Sequence, residues 1–209
     1  MIVQMRSSRL GTLWQVGFFF LLLGFDSVWA SESPLEIVRT TTNQALAVLQ
    51  NGSAQDNKQL DKMWTIVLPR FDTQEIAQRS LGVHWSKLTE EQKKNFVQLF
   101  TQLVKNNYSG TLERYTKDAQ FFFDGERIDG DMAEVQTRIQ TPAQPNSFSV
   151  AYRMHRQGGK WLVYDVVAEN VSMVRNYRSQ FDRIIEDSSY EGLVQALEKK
   201  LQEIETASS

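Results

Sequence analysis

The chain has no cysteine, two histidines and four prolines in 209 residues, and beyond its N-terminal stretch it has no long apolar run. Each shortage narrows the reading. Without cysteine there is no disulfide, so an exported protein must rely on its hydrophobic core. Nor does a cysteine follow the N-terminal apolar run to carry a lipid anchor. The histidines, His84 and His155, have no ligand-spaced partner, so no metal site is expected. His84, beside Trp85, reads as a loop residue at the surface. Nucleophile-elbow, P-loop and dinucleotide fingerprints are missing, so no cofactor is expected either. The segment Asp124 to Asp131, DGERIDGD, has three aspartates but lacks calcium-loop spacing and a terminal Glu, and it reads as a solvated hairpin turn. With 23 basic and 25 acidic residues and no polybasic cluster, the chain suits neither nucleic acid nor an anionic membrane surface. No internal repeat or low-complexity tract occurs.

What is present begins with a leader. Arg6 and Arg9 precede an apolar core from Leu13 to Phe25, and Val28-Trp29-Ala30 follows with residues suited to a cleavage site. This is the layout of a secretory signal peptide over residues 1–30, too short for a comfortable membrane span. Removing Arg6, Arg9 and Asp26 leaves 21 basic and 24 acidic residues, a net charge of −3, on a mature chain from Ser31 to Ser209. That length predicts a single domain with a real core.

The first half of the mature chain reads as helical. Pro34 to Gln50 has Ser33 as cap and a loose apolar face at Ile37, Ala45, Val48 and Leu49. A polar loop follows over Asn51 to Asn57. Lys58 to Leu68 sets Leu60, Met63, Trp64, Val67 and Leu68 on one side, and Pro69 ends it. Asp72 to Glu75 opens a short helix that Leu81-Gly82 closes. Thr89 to Gln92 is a capping box for a long helix to about Tyr115. Phe96, Val97, Leu99, Phe100, Leu103, Val104, Thr111 and Tyr115 give that helix a face wide enough to touch more than one neighbour.

The second half changes period. Ala119 to Phe123 is a short strand. Met132 to Thr141 alternates, with Ala133, Val135, Thr137 and Ile139 on one face, and Thr141 to Ser147 is a loop. Phe148 to His155 alternates again, with Phe148, Val150, Tyr152 and Met154 on one face. Gln157-Gly158-Gly159-Lys160 is a hairpin turn into Trp161. Trp161 to Ala168 is a core strand, and Met173, Val174, Tyr177, Phe181, Ile184 and Ile185 recur at helical spacing after an N-cap at Ser172. Ser189 to Ile204 is a last helix. Asp165 and Glu169 read either as a carboxylate pair at the sheet's end or as hydrogen-bond anchors of the strand-to-helix turn. The apolar faces of sheet and long helix either make plain core or leave a cavity between the layers, and pattern alone favours plain core.

Two segments are more specific. The first is Trp161 to Phe181, through Trp161, Tyr164, Asp165, Glu169, Val171, Ser172 and Met173. The second is Phe71 to Tyr115, through Phe71, Asp72, Ile76, Ala77, Leu81, Gly82, Trp85, Leu88, Thr89, Gln92, Phe96, Phe100, Val104 and Tyr108. Together they resemble the MlaC or toluene-tolerance family, the periplasmic phospholipid-binding proteins of the Mla pathway. Asn170 departs from the family's usual Gly. Asn tolerates positive φ, so a left-handed turn survives there.

The resemblance implies an α+β fold. In it a helical N-terminal half packs on a curved, mainly antiparallel sheet of about four strands, a cone like that of nuclear transport factors, with C-terminal helices. It implies a soluble periplasmic carrier in a Gram-negative bacterium that holds acyl chains in a cleft and shuttles phospholipids between outer and inner membranes, maintaining outer-membrane lipid asymmetry. The implied partners are phospholipid, an outer-membrane lipoprotein complex, and an inner-membrane ABC transporter with its substrate-collecting subunit. The carrier itself would be a monomer that binds no ATP, inserts in no membrane and catalyses nothing. The expected lining is Leu103, Val104, Tyr108, Val150, Tyr152, Met154, Val167, Val171, Met173, Val174 and Tyr177. An enzyme with Asp165 as base, and a binder of solvent or sterol, remain the alternatives.

Overall fold

A computed structural model of the chain describes residues 32–50, 57–116, 118–142 and 144–207. The expected leader and all but Asn57 of the expected polar loop lie outside them, as do the side chains of Thr111 and Tyr115. Helix α1 runs Pro34–Gln50, α2 Asn57–Val67, α3 Thr73–Leu81 and α4 Glu90–Thr116. Their starts follow local chemistry. Asp72 caps α3 by accepting the Glu75 N–H at 2.9 Å. Thr89 and Gln92 exchange side-chain-to-backbone bonds of 2.9 and 3.2 Å at the head of α4. Pro69 does not stop the helical turn at once. It sits inside a 3-10 turn, Leu68–Arg70, where a missing N–H costs nothing.

Five strands follow: β1 Gln120–Asp129, β2 Met132–Thr141, β3 Gln144–Gln157, β4 Lys160–Ala168 and β5 Val171–Ser172. They form one antiparallel sheet in sequence order, so the architecture is α+β. The fifth strand, two residues long, adds to the four expected. Two other expectations change. The segment 124–131 is mostly strand, because Gly125, at φ 144°, takes up a register shift between Phe123 and Gly125 and pairing resumes to Asp129. A glycine inside a strand marked a bulge, not a turn. The loop expected from Thr141 to Ser147 is largely the start of β3. Pro145 is tolerated there because β4 reaches only as far as Val150, leaving that part of β3 at the sheet's edge.

The turns into β4 and β5 both need left-handed backbone. Gly158 and Gly159 have φ of 56° and 78°, and Glu169 and Asn170 have 47° and 66°. Helix α5, Met173–Ala207, is broken at Ser189, with φ 72° and ψ 176°, where the last helix was expected to begin. The Ser172 hydroxyl accepts the Arg175 N–H at 3.1 Å, as an N-cap does.

Candidate functional site

Among the described residues the fully buried apolar side chains fall into three clusters, two of them touched by the half-buried Phe71. One cluster joins α3, α4 and α5 through Ile76, Phe96, Phe100, Leu103, Tyr177, Phe181 and Leu193. A second joins α1 to the sheet through Ile37, Val38, Val135, Met154, Trp161 and Val163. A third, Ala45, Met63 and Trp64, holds α1 to α2. A domain of this size usually has one contiguous core. Here an apolar cavity of about 390 Å³ touches all three clusters, lined by Ile37 and Val38, by Met63 and Trp64, and by Ile76 and Phe100.

The long helix α4 serves two neighbours, as its wide face implied. Phe96, Phe100 and Leu103 pack into the helical cluster, while Phe100, Thr101, Val104 and Tyr108 reach the cavity. The sheet supplies Phe121, Tyr152, Val163, Val166 and Ala168. On β4 the register shifts opposite Arg153 and Met154, adding one residue to that strand. The bulge reverses the alternation, so Val163 before it and Val166 and Ala168 after it line the same cavity. Tyr108, Ala168, Val171 and Asn176 are lining residues that are also exposed, and they mark the mouth.

The lining carries little polarity. Arg70 is its only charged member among the described residues, half-buried and without an acidic partner among them. Its sequence neighbour Asp72 is committed elsewhere, capping α3 and contacting His155 Nε2 at 3.0 Å. Thr41 is buried and its hydroxyl finds no partner among the described residues. Burial pushes the Tyr152 phenol up to about 12. Burial, with Tyr177 adding, also raises the Tyr108 phenol.

Asp165 and Glu169 behave as anchors. Asp165, 3% exposed, accepts the Ser172 hydroxyl at 2.7 Å and the Val174 N–H at 3.1 Å, and Arg153 pairs with it at 3.3 Å. Glu169 accepts both the N–H and the hydroxyl of Ser149. Neither lines the cavity. His84 is half-buried rather than a free loop residue, with Nε2 3.2 Å from Asp182 Oδ1 of α5. No group of His, Cys, Asp or Glu among the described residues could hold a metal ion.

Of the expected lining, the structure brings together Val104, Tyr108, Tyr152, Val171 and Met173. It does not bring Leu103, Val150, Met154, Val167, Val174 or Tyr177 to the cavity. Leu103, Val174 and Tyr177 belong to the helical cluster and Met154 to the sheet cluster. Val150 shares the face of Tyr152 but is only 5% exposed beside Thr137, and Val167 lies on the opposite face from Val166, opposite Ser172 of β5. The wall made by α1 and α2, and Arg70, were not anticipated. The available signal was the loose apolar face of α1 and the one-sided apolar residues of α2.

The sequence and the fold have known counterparts. The family model described as MlaC protein matches residues 39–199. A toluene tolerance protein, ttg2D, of Pseudomonas putida is 26% identical over 171 residues, 79% of each chain. The intermembrane phospholipid transport system binding protein MlaC of Haemophilus influenzae is 20% identical over 178 residues, 81% of this chain and 83% of its own. A phospholipid-binding protein from Ralstonia solanacearum, solved in complex with a phospholipid, superposes with a TM-score of 0.73 at 21% identity over 80% of this chain and 96% of that one. Since the family match runs without a break from α1 into α5, through every element that walls the cavity, the chain belongs to the MlaC protein family.

Proposed function

We propose that this protein is a phospholipid carrier of the bacterial periplasm. It takes acyl chains into the cavity, leaves the headgroup at the mouth, and moves lipid between outer-membrane and inner-membrane complexes so that outer-membrane asymmetry is kept. The observation that carries this reading is the apolar cavity itself. The cavity is open at its mouth, but water that enters meets an apolar wall with few polar partners, so hydrocarbon is the occupant that this lining suits. Arg70 suits a phosphate on the solvent side.

Burying a chain of about 16 carbons is worth about 12 kcal/mol against water. Two chains would exceed any known affinity if water were the competing state. The competing state is a bilayer or another protein's cavity, where the chains are equally dry, so transfer is close to neutral and runs in either direction. Such work needs a dry cavity, a mouth and docking surfaces, and no catalytic group. No helix among the described residues is long and apolar enough to cross a membrane, which suits a carrier released after its leader is cleaved. The partners of this reading are an outer-membrane lipoprotein complex and an inner-membrane ABC transporter. The names carried by the Haemophilus and Ralstonia relatives support the ligand.

The test is extraction of the purified protein with organic solvent followed by mass spectrometry. About one phospholipid per protein is expected. A clean extract from natively purified protein, with no uptake from phospholipid vesicles, overturns the reading.

A further inference from the structure

Two hydroxyl groups on the cavity-facing side of the sheet's central strands differ in one respect. Thr137 on β2 donates to the carbonyl oxygen of Val150 at 2.8 Å and is thereby satisfied inside the protein. Tyr152 on β3 has no hydrogen-bond partner among the described residues. Its direction is fixed by register, opposite Val135 on one side and Val166 on the other, and Val166 lines the cavity with it. Two other tyrosines are served from within. Tyr177 accepts from Asn107 at 3.1 Å and Tyr190 donates to the Gln92 carbonyl at 3.0 Å. The Tyr152 hydroxyl is not sealed inside the protein but opens on the cavity, so an acceptor that enters with the ligand can reach it.

The chemistry of that partner is constrained. The phenol is protonated across the physiological range, so it offers a hydrogen. Its register neighbours Val135 and Val166, and Ile37 and Val163 of the same cluster, are all apolar, so this part of the wall offers a charged phosphate no counter-charge. An alkyl chain has no acceptor at all. The group that is neutral, accepts strongly and sits at the head of the hydrocarbon is an ester carbonyl. Resting on the phospholipid-carrier reading, we propose that Tyr152 Oη–H donates to an ester carbonyl of the bound lipid, so that the cavity selects acyl esters over ether-linked chains of the same length.

The experiment offers delipidated protein to vesicles holding equal amounts of diester and diether phosphatidylethanolamine of matched chain length. Bound lipid is then counted by mass spectrometry. Wild type is expected to load the ester about fivefold over the ether, the size of one net hydrogen bond. Tyr152→Phe is expected to lose the preference and load both alike, with no loss of melting temperature, since it removes a hydroxyl with no partner among the described residues. Equal loading by wild type, as a resident water on the phenol would produce, overturns the proposal while leaving the carrier reading intact. So does a preference that survives in Tyr152→Phe. Loading of neither lipid by wild type sinks both. Should the variant misfold, carbonyl-labelled ester lipid bound to wild type decides by infrared absorption. A stretch lowered by hydrogen bonding is expected, and a single free-ester band overturns the proposal.

Discussion

The Asp165 carboxylate accepts the backbone N–H of Val174 at 3.1 Å, across the turn that joins β4 to α5. Its other oxygen takes the Ser172 hydroxyl at 2.7 Å and faces Arg153 at 3.3 Å. One buried side chain thus fixes where the last strand stops and at what angle the final helix departs. Met173 and Asn176, which begin that helix, are part of the cavity's wall.

Asp165→Ala is expected to cost about 3 kcal/mol, because an N–H, a hydroxyl and a guanidinium lose their common partner in a buried place. Asp165→Asn should cost less. Urea unfolding checks both. Lipid loading, measured per folded molecule, should stay at the wild-type level in the asparagine variant. A folded asparagine variant that no longer loads lipid would give Asp165 a direct role.

A glutamine separates wall from core. Val104→Gln faces the cavity, where water can reach the amide when no lipid is bound, so the melting temperature should move little while loading falls about tenfold. Met154→Gln, at 0% exposure inside the sheet cluster, should do the reverse, losing about 2 kcal/mol of stability. Thermal unfolding and lipid content on the same sample check the pair. Equal behaviour of the two variants would contradict the boundary drawn between cavity and core.

Alkaline pH should weaken the fold through Tyr152. The unfolded chain releases the phenolic proton near its ordinary value of 10.0, whereas the folded protein holds it to about 12. This contribution is fully present below pH 10 and is lost as pH rises through 12, up to about 3 kcal/mol. Tyr152→Phe should remove that part of the slope. Denaturant midpoints at a series of alkaline pH values measure it, and an unchanged slope in the variant would refute the assignment.

Processing gives a further check. The reading of residues 1–30 as a cleaved leader puts the mature N-terminus at Ser31 in a periplasmic fraction. N-terminal sequencing of the cellular protein decides it, and an intact Met1 in the membrane pellet would count against export in soluble form.

Much of the fold was written in local signals. The caps at Asp72, Thr89 and Ser172 name the starts of three helices because a short polar side chain satisfies free N–H groups wherever a helix begins. Gly158-Gly159 and Asn170 mark their turns because left-handed backbone excludes most other residues. The misreadings share one cause. Gly125 and Pro145 are local breakers whose effect depends on the neighbouring strand, and the sequence does not say which strand that is.

The cavity was less legible. Apolar spacing on the strand from Phe148 to His155 shows that Val150, Tyr152 and Met154 share a face, but not which of the three meets packed core and which meets empty space. That depends on where α1 and α2 lie over the sheet, and on the bulge in β4 that reverses its faces beyond Tyr164. The sequence alone determined the helix starts, their caps, the glycine and asparagine turns, the central stretches of four strands and the family, because these rest on short-range chemistry and residue identity. Tertiary structure alone decided that three apolar clusters border one cavity. A cavity is a volume between elements distant in the chain, and hydrophobicity, which has no direction, reads the same on its wall as in its core.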